Sequence, residues 1–477
     1  MKTVTVEHTE DDTIVAVATP VGSGGIGIIR ISGEKAIEIT RSLFRKKKSL
    51  TISADSDCLE ALPSHQLQHG YICDPRNLNI VDEVLMAIMR APHSYTRQDV
   101  VEIQSHSGAI IMRRIMKLVL DQGARLAMPG EFTRRAFLNG RIDLTQAEAV
   151  GDMIAAKSED ALNLAVTHLT GQMKDALGGI LEKLIDMQAE LEAGLEFGDE
   201  LETQASPREK IAADIQQEII LPVETLISHY HEGYMIRDGV RLGIAGRPNV
   251  GKSSLLNYLI QKDRAIVTAF PGTTRDLIEE HFNIKGLPVI VTDTAGLHDT
   301  QDPIEILGMQ KTRESINKAD LVLFMISGDQ PFTDEDDRAF GDLRNKKIIL
   351  AINKTDLVDD PARVKIPERF SGYPTFFISA KFGMGIDALK DAIKDAVLGG
   401  VDINPQRSLV PNLRQTIALE AALDAIGRVK AGLESGAGEE LLLIDLAEAQ
   451  RSVNEILGIT QDADILDAIF GRFCIGK

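Results

Sequence analysis

The spacing of apolar residues changes along the chain, and each change marks a different kind of structure. Between residues 13 and about 130, runs rich in β-branched side chains (13–18, 26–31, 83–89 and 100–104) alternate with glycine turns and two helical stretches, which predicts a small α+β domain. From 144 to about 236 the apolar residues recur at steps of three and four: Leu162, Ala165, Val166 and Leu169, then Leu177, Ile180, Leu181, Leu184 and Ile185. No proline interrupts this stretch before Pro207, and the pattern predicts a helical array. Residues 238 to about 398 alternate strand-like and helix-like runs, as an α/β unit does. After the break at 399–405 the helical spacing returns in Leu413, Ile417, Leu419, Ala422, Leu423 and Ile426, then in Leu441, Leu443, Ile444 and Leu446. The simplest account is an α/β domain inserted into a helical domain whose halves pack together, with boundaries at 1–140, 141–236, 237–399 and 400–477.

Composition limits the function classes. The chain has 477 residues, enough for about three domains, and 44% of them are apolar. It lacks an apolar run long enough to span a bilayer, and its first residues lack the apolar stretch of a secretory leader, so a cytoplasmic location without membrane contact is expected. Three scattered cysteines, Cys58, Cys73 and Cys474, point to reduced thiols rather than a disulfide frame or zinc site. A formal charge of −19 argues against a protein whose main task is coating nucleic acid. An RNA substrate would need a basic partner or a local basic patch. The run Arg45–Lys48 is one such patch, or simply a solvated turn.

The α/β segment carries the chemistry. Gly246-Arg247-Pro248-Asn249-Val250-Gly251-Lys252-Ser253 reads G-x-x-x-x-G-K-S, follows a strand-like run at 240–245, and opens a helix-like run from Ser254. In that context it is a phosphate-cradling loop. Its glycines let backbone N–H groups turn inward, and the helix N-terminus behind them adds partial positive charge. Lys252 would reach the β- and γ-phosphates, and the Ser253 hydroxyl would hold Mg²⁺. Asn353-Lys354-Thr355-Asp356 ends another buried-strand run. A carboxylate in the plane of a purine takes two hydrogen bonds from guanine, which adenine cannot offer, so Asp356 selects GTP. Ser379-Ala380-Lys381 follows a short strand at 375–378 and suits the guanine carbonyl. Asp293-Thr294-Ala295-Gly296 ends the strand at 289–292, with Asp293 near the Mg²⁺ shell and the Gly296 amide sensing the γ-phosphate. Each short motif is weak alone. Four in order, each at a strand end, make a GTP-binding domain that spans Asn249 to Ser254 and the base loops.

The catalytic apparatus is unusual. The segment Thr268-Ala269-Phe270-Pro271-Gly272-Thr273-Thr274 stands where a GTPase keeps its first switch, and Thr274 is expected to close the Mg²⁺ shell. After Asp-Thr-Ala-Gly comes Leu297, which cannot orient water, so an acid must do so; Glu305, Asp299 and Asp302 are within reach along the chain. No obvious arginine finger is present, Arg247 and Arg275 being the available residues. A bound monovalent cation on the Asn249 side-chain oxygen is an alternative, against Asn249 merely capping the loop.

Long runs outside the GTPase motifs carry a resemblance. They are Asp12–Ala16 with Ala18-Thr19-Pro20, residues 24–33, 129–141 and 143–149, and the terminal Phe473-Cys474-Ile475-Gly476-Lys477. With these, the chain resembles the MnmE (TrmE) family of tRNA-modification GTPases over essentially its whole length. The resemblance implies a multidomain fold: an α+β folate-binding and dimerisation domain, an all-α helical domain, and an inserted Ras-like α/β P-loop domain. It implies a homodimer whose GTPase domains pair across their nucleotide faces around K⁺, held by Asn249, Thr268, Phe270 and Thr273. Glu305 falls on the family's water-positioning acid. The N-terminal domain is expected to bind 5-formyltetrahydrofolate (or methylene-tetrahydrofolate) through Arg30, Glu102, Arg141 and Lys477. Position 141 is Arg where some members carry Lys, so a point charge becomes a fork. Cys474 is either a reactive thiol or a small buried hydrophobe. The implied activity, shared with an FAD-dependent MnmG-type partner in a heterotetramer or larger complex, adds a carboxymethylaminomethyl group at C5 of uridine 34 of certain tRNAs.

Two rivals share parts of the pattern. A ribosome-assembly GTPase switch would have the motifs without the folate pocket. A folate-dependent methyltransferase would need a dinucleotide fingerprint, and the glycine-rich 22–27 precedes its strand and opens no helix.

Overall fold

The structure, a computed structural model, describes residues 12–20, 24–46, 62–197, 208–263, 279–292, 316–341, 343, 346–360, 364, 366–398, 408–460 and 463–477. The chain divides into two compact units, one of residues 1–151 with 457–477 and one of 152–456.

In the first unit, the strands β1 (Ile14–Val17), β2 (Ile26–Ser32), β3 (Phe44–Arg45), β4 (Leu67–Cys73), β5 (Ile80–Met89), β6 (Val100–His106) and β7 (Arg125–Leu126) form a seven-stranded sheet in the order β3-β4-β5-β6-β2-β1-β7. Strict alternation along β5 puts Val84, Met86 and Ile88 on the buried face, which helices α1 (Ala36–Leu43) and α2 (Ala109–Asp121) cover with Ile37, Leu43, Ile115 and Val119. Helix α3 (Glu131–Leu138) begins at Gly130, where φ is +68° and a Cβ would sit against the Phe470 backbone. Asp143 accepts from Thr145 N at 2.8 Å and Gln146 N at 3.1 Å and so starts helix α4 (Leu144–Ala155). Phe137, Leu144 and Ala147 pack with Leu466 and Phe470 of the C-terminal helix Ala463–Phe470, which brings the last residues into this unit.

The start of α3 is held by charge. Glu131 accepts from Arg125 NH2 at 2.6 Å, Arg135 NH2 at 3.0 Å and the Met128 amide at 2.8 Å. Burial pushes the Glu131 carboxyl upward, but the Arg125 and Met128 hydrogen bonds and the Arg135 charge outweigh it and hold the group below the ordinary value.

The second unit begins with helices α5 (Glu159–Leu169) and α6 (Gln172–Phe197). Helices α7 (Arg208–Ile215) and α8 (Leu221–Ser228) follow, joined by a π-helical turn at Gln216–Ile220. Helix α9 (Tyr230–Asp238) then runs through Gly239 into β8 (Val240–Ala245). Helix α10 (Lys252–Asp263), the hairpin β9 (Glu279–Ile284) and β10 (Leu287–Thr292), β11 (Leu321–Ser327), α11 (Asp334–Gly341), β12 (Ile348–Asn353), β13 (Thr375–Phe377) and α12 (Ile386–Leu398) complete the inserted part. Its six-stranded sheet has the order β13-β12-β11-β8-β10-β9, parallel except for β9. Every residue of β11 and β12 is buried, as strands covered on both faces require.

The returning helices are α13 (Leu413–Ser435), which opens with an Asn412–Gln415 capping box, and α14 (Glu439–Leu457). Hydrogen bonds from Lys430 Nζ to Gln216 Oε1 (2.7 Å) and from Gln450 Nε2 to Leu184 O (3.1 Å) join them to the earlier helices. The chain leaving the α/β part is fastened beside the chain entering it. Val410 fills the space over Gly233 of α9, where a Cβ would overlap its side chain, and its amide donates to His168 Nε2 at 3.4 Å. Among the described residues no helix is long and apolar enough to cross a membrane.

Candidate functional site

The nucleotide site forms where the sheet order reverses, at the carboxyl ends of β8 and β11. The loop after β8 needs its glycines twice over. Gly246 has φ +140° and Gly251 has φ +101°. A Cβ at Gly246 would overlap the Met325 carbonyl of β11, and one at Gly251 would overlap the Asn353 amide. Asn249 also has positive φ, +64°. Lys252, the first residue of α10, donates from Nζ to Gly246 O at 2.9 Å and Arg247 O at 2.8 Å. Val250 is buried, Gly251 to Ser253 are partly buried, and Ser254 is exposed.

The base loops connect directly to this loop. Asn353, only 2% exposed, donates from Nδ2 to Val250 O at 2.8 Å and accepts from Ala380 N at 2.9 Å on Oδ1. One side chain thus links the phosphate loop to the Ser379-Ala380-Lys381 turn. Ser379 Oγ donates to Asp356 Oδ1 at 2.5 Å and fixes the carboxylate. Lys354 adopts φ +63° and lies 3.7 Å from Asp329 Oδ2. Lys381 Nζ lies over the Phe382 ring. Tyr258 of α10, which the sequence reading did not single out, packs under this turn at Gly383, where φ is +75° and a Cβ would overlap its hydroxyl. Of the other expected site residues, Thr268, Ala269, Phe270, Pro271, Gly272, Thr273, Thr274, Asp293, Thr294, Ala295, Gly296 and Glu305 lie outside the described residues. The Arg247 side chain is 11% exposed and lies 3.5 Å from Asp336.

A second cluster occupies the first unit. The β2–β6 register places Arg30 opposite Glu102, and Arg30 Nε donates to Glu102 Oε1 at 2.8 Å. Arg30 NH1 reaches Gly476 O at 3.4 Å, and its guanidinium lies 5.7 Å from the Tyr95 and Phe132 ring centres. Arg141 lies 4.7 Å over the same Tyr95 ring and donates to Tyr95 O at 3.4 Å. The terminal segment is seated by Gly476, where φ is +98° and a Cβ would overlap Val17 O. Cys474 is exposed, its carbonyl accepting from Lys477 N at 3.3 Å. Arg30 and Arg141 therefore meet at one aromatic ring, Glu102 pairs with Arg30, and Lys477 lies one residue beyond the carbonyl that Arg30 touches. Tyr95 and Phe132 were missed as members. Phe132 lies inside the run 129–141 that carries the family resemblance, whereas Tyr95 sits in a turn without periodicity.

A G-x-x-x-x-G-K-S loop tied through Asn353 to the Ser379–Lys381 turn that seats Asp356, on a parallel sheet with one antiparallel edge, is the arrangement of a P-loop GTPase. Sequence comparison is specific beyond that. The family description "GTP-binding protein TrmE N-terminus" matches residues 13–141, and "MnmE helical domain" matches 144–474. Proteins named tRNA modification GTPase MnmE from Geobacter metallireducens (44% identical over 470 residues, 98% of this chain and 99% of that one) and Syntrophus aciditrophicus (43% over 466 residues, 98% and 99%) align along nearly the full length. Among solved structures, Era with MgGDPNP and a 16S ribosomal RNA fragment aligns over 39% of this chain and 66% of its own, at 28% identity and a TM-score of 0.28, a superposition too partial to add to the sequence match. The chain belongs to the MnmE family of tRNA modification GTPases.

Proposed function

We propose that the chain hydrolyses GTP in a K⁺-dependent, homodimeric reaction that drives modification of tRNA. With an FAD-dependent MnmG-type partner in the cytoplasm, it installs carboxymethylaminomethyl at C5 of the wobble uridine. Family membership over 98% of the chain carries this reading.

In the GTPase part, Lys252 engages the β- and γ-phosphates, Asp356 selects guanine, and Ser379 keeps that carboxylate in place. Mg²⁺ would be held by Ser253 and Thr274, and K⁺ by Asn249 with Thr268, Phe270 and Thr273. Asn249, in the phosphate loop at positive φ, carries a side-chain oxygen of the hard kind that suits a monovalent cation. Glu305 orients the attacking water. With Arg247 paired to Asp336, a bound cation is the better candidate for neutralising transition-state charge. GTP turnover is expected to fall by about two orders of magnitude or more when Na⁺ replaces K⁺, the scale of losing one preorganised charge-stabilising group. Equal steady-state rates in the two salts would remove the potassium role.

In the first unit, a flat aromatic ring flanked by two guanidinium groups and a carboxylate suits a flat, hydrogen-bonding ring that bears carboxylates. Arg30, Glu102, Arg141 and Lys477 would hold the tetrahydrofolate, which supplies the one-carbon unit. The test of the whole reading is mass analysis of wobble uridines from cells lacking this protein, complemented by the parent or by Glu305→Ala. The modified nucleoside should vanish, return with the parent, and stay absent with the variant; an unchanged nucleoside profile in the deletion rejects the tRNA role.

A further inference from the structure

We propose that Asp336 and Arg247 are positioning residues for GTP hydrolysis, a buried carboxylate and its guanidinium that together aim Lys252. Asp336 lies in the first turn of α11 and is 0% exposed. Its Oδ2 accepts from the Thr333 amide at 3.0 Å and the Thr333 hydroxyl at 3.2 Å, one half of a capping box. Capping accounts for that oxygen and leaves the other unexplained. Oδ1 accepts no hydrogen bond and faces Arg247 Nε at 3.5 Å. A fully buried carboxylate is costly, and a neutral side chain would cap the helix as well, so the guanidinium is the group that makes the charge tolerable here.

Arg247 is held along its whole edge. NH2 donates to Gln330 Oε1 at 2.8 Å and NH1 reaches Thr333 Oγ1 at 3.4 Å, so two anchors lie on the connection between β11 and α11 and the third, Asp336, in the first turn of α11. The backbone of the same residue does the aiming, because Arg247 O accepts from Lys252 Nζ at 2.8 Å. Gly246 and Asn249, on either side, both have positive φ. Between them, Arg247 is held from outside the loop by its side-chain contacts to Asp336, Thr333 and Gln330. The link runs from Asp336 to the Arg247 side chain, to the Arg247 carbonyl, to the ammonium that meets the triphosphate. It gives Arg247 a task other than that of a finger.

The test uses the full chain carrying Arg247→Gln, Arg247→Lys, Asp336→Asn and the Arg247→Gln/Asp336→Asn pair. Single-turnover hydrolysis should slow about ten- to a hundredfold in each neutralised single variant, the scale of a small misplacement of a reacting group. The double variant should be no slower than the slower single, because both break one link, and Arg247→Lys should recover part of the rate. A strut that merely stabilised the domain would weaken GDP and a non-hydrolysable GTP analogue equally. Misaiming Lys252 should instead lower the ratio of analogue to GDP affinity at least fivefold. The proposal is overturned by rates within twofold of the parent, by losses that multiply in the double variant, or by an unchanged affinity ratio. If Asp336→Asn does not fold, Arg247→Gln read by rate and ratio decides the matter by the same criteria.

Discussion

Asp356→Asn is expected to lower GTP affinity by about a thousandfold while creating affinity for xanthosine triphosphate. The guanine edge offers two donors to one carboxylate, and hydrogen bonds to a charged acceptor contribute about 1.5–3 kcal/mol each. An amide keeps one acceptor and turns a donor toward a donor, so one bond survives without its charge and the other is replaced by a repulsion. Ser379 Oγ, 2.5 Å from Asp356 Oδ1, can still donate to the amide oxygen, which leaves the amide NH₂ facing the base. Xanthine carries a carbonyl where guanine carries its amine, so it meets that NH₂ favourably. The reversal matters more than the loss, since a damaged domain would bind neither nucleotide. Equilibrium titration of both nucleotides decides it: GTP affinity within about threefold of the parent would mean that Asp356 does not read the base.

The placement of the 246–253, 353–356 and 379–381 loops at strand ends was legible in the sequence for a physical reason. Strands β8, β11 and β12 are covered on both faces, so they read as nearly continuous apolar runs, and the motifs sit at their ends. The alternating run at 100–104 was legible for the complementary reason, one face of β6 being packed and the other open. Strand β4 was missed. Its core carries His69 and Gly70, and Gly70 is there because the Phe44 ring of β3 lies where a Cβ would go, a tertiary demand that no local pattern reveals. The same holds for the terminal segment. The helical spacing after residue 413 is plain, but a 3.6-residue period says nothing about which unit a helix packs in, and residues 457–477 group with residues 1–151. Phe470 reaches Phe137 across more than three hundred positions of chain.

The two candidate sites differ in the same way. Lys252, Asn353 and Asp356 each belong to a motif whose spacing is set by one strand and one turn. Arg30, Glu102 and Arg141 are brought together by sheet register and by a shared aromatic ring, which residue type and spacing alone do not reveal. Asp336 stands between these cases. Thr333 and Asp336 have the spacing of a capping box, but its partner Arg247 is eighty-nine positions earlier (336 − 247 = 89), and only the fold shows the pair.

Lys252→Ala is expected to cut single-turnover GTP hydrolysis by about 10²–10³-fold, the range seen when one preorganised charge-stabilising group is removed. The lysine is not a loose surface cation. Two carbonyls, of Gly246 at 2.9 Å and Arg247 at 2.8 Å, fix where its ammonium points before any nucleotide arrives. A point charge so placed costs little reorganisation when negative charge builds between the β- and γ-phosphates. Lys252→Arg should fail nearly as badly, because a planar fork cannot take both carbonyls and the phosphates in the geometry of a compact ammonium. The substitution spares the core: the buried neighbours Val250, Leu255 and Leu256 are untouched, so the melting temperature should move little. A rate within tenfold of the parent, with folding intact, would mean that another group stabilises the developing phosphate charge. The loop after β8 would then be a phosphate holder rather than part of the catalytic apparatus.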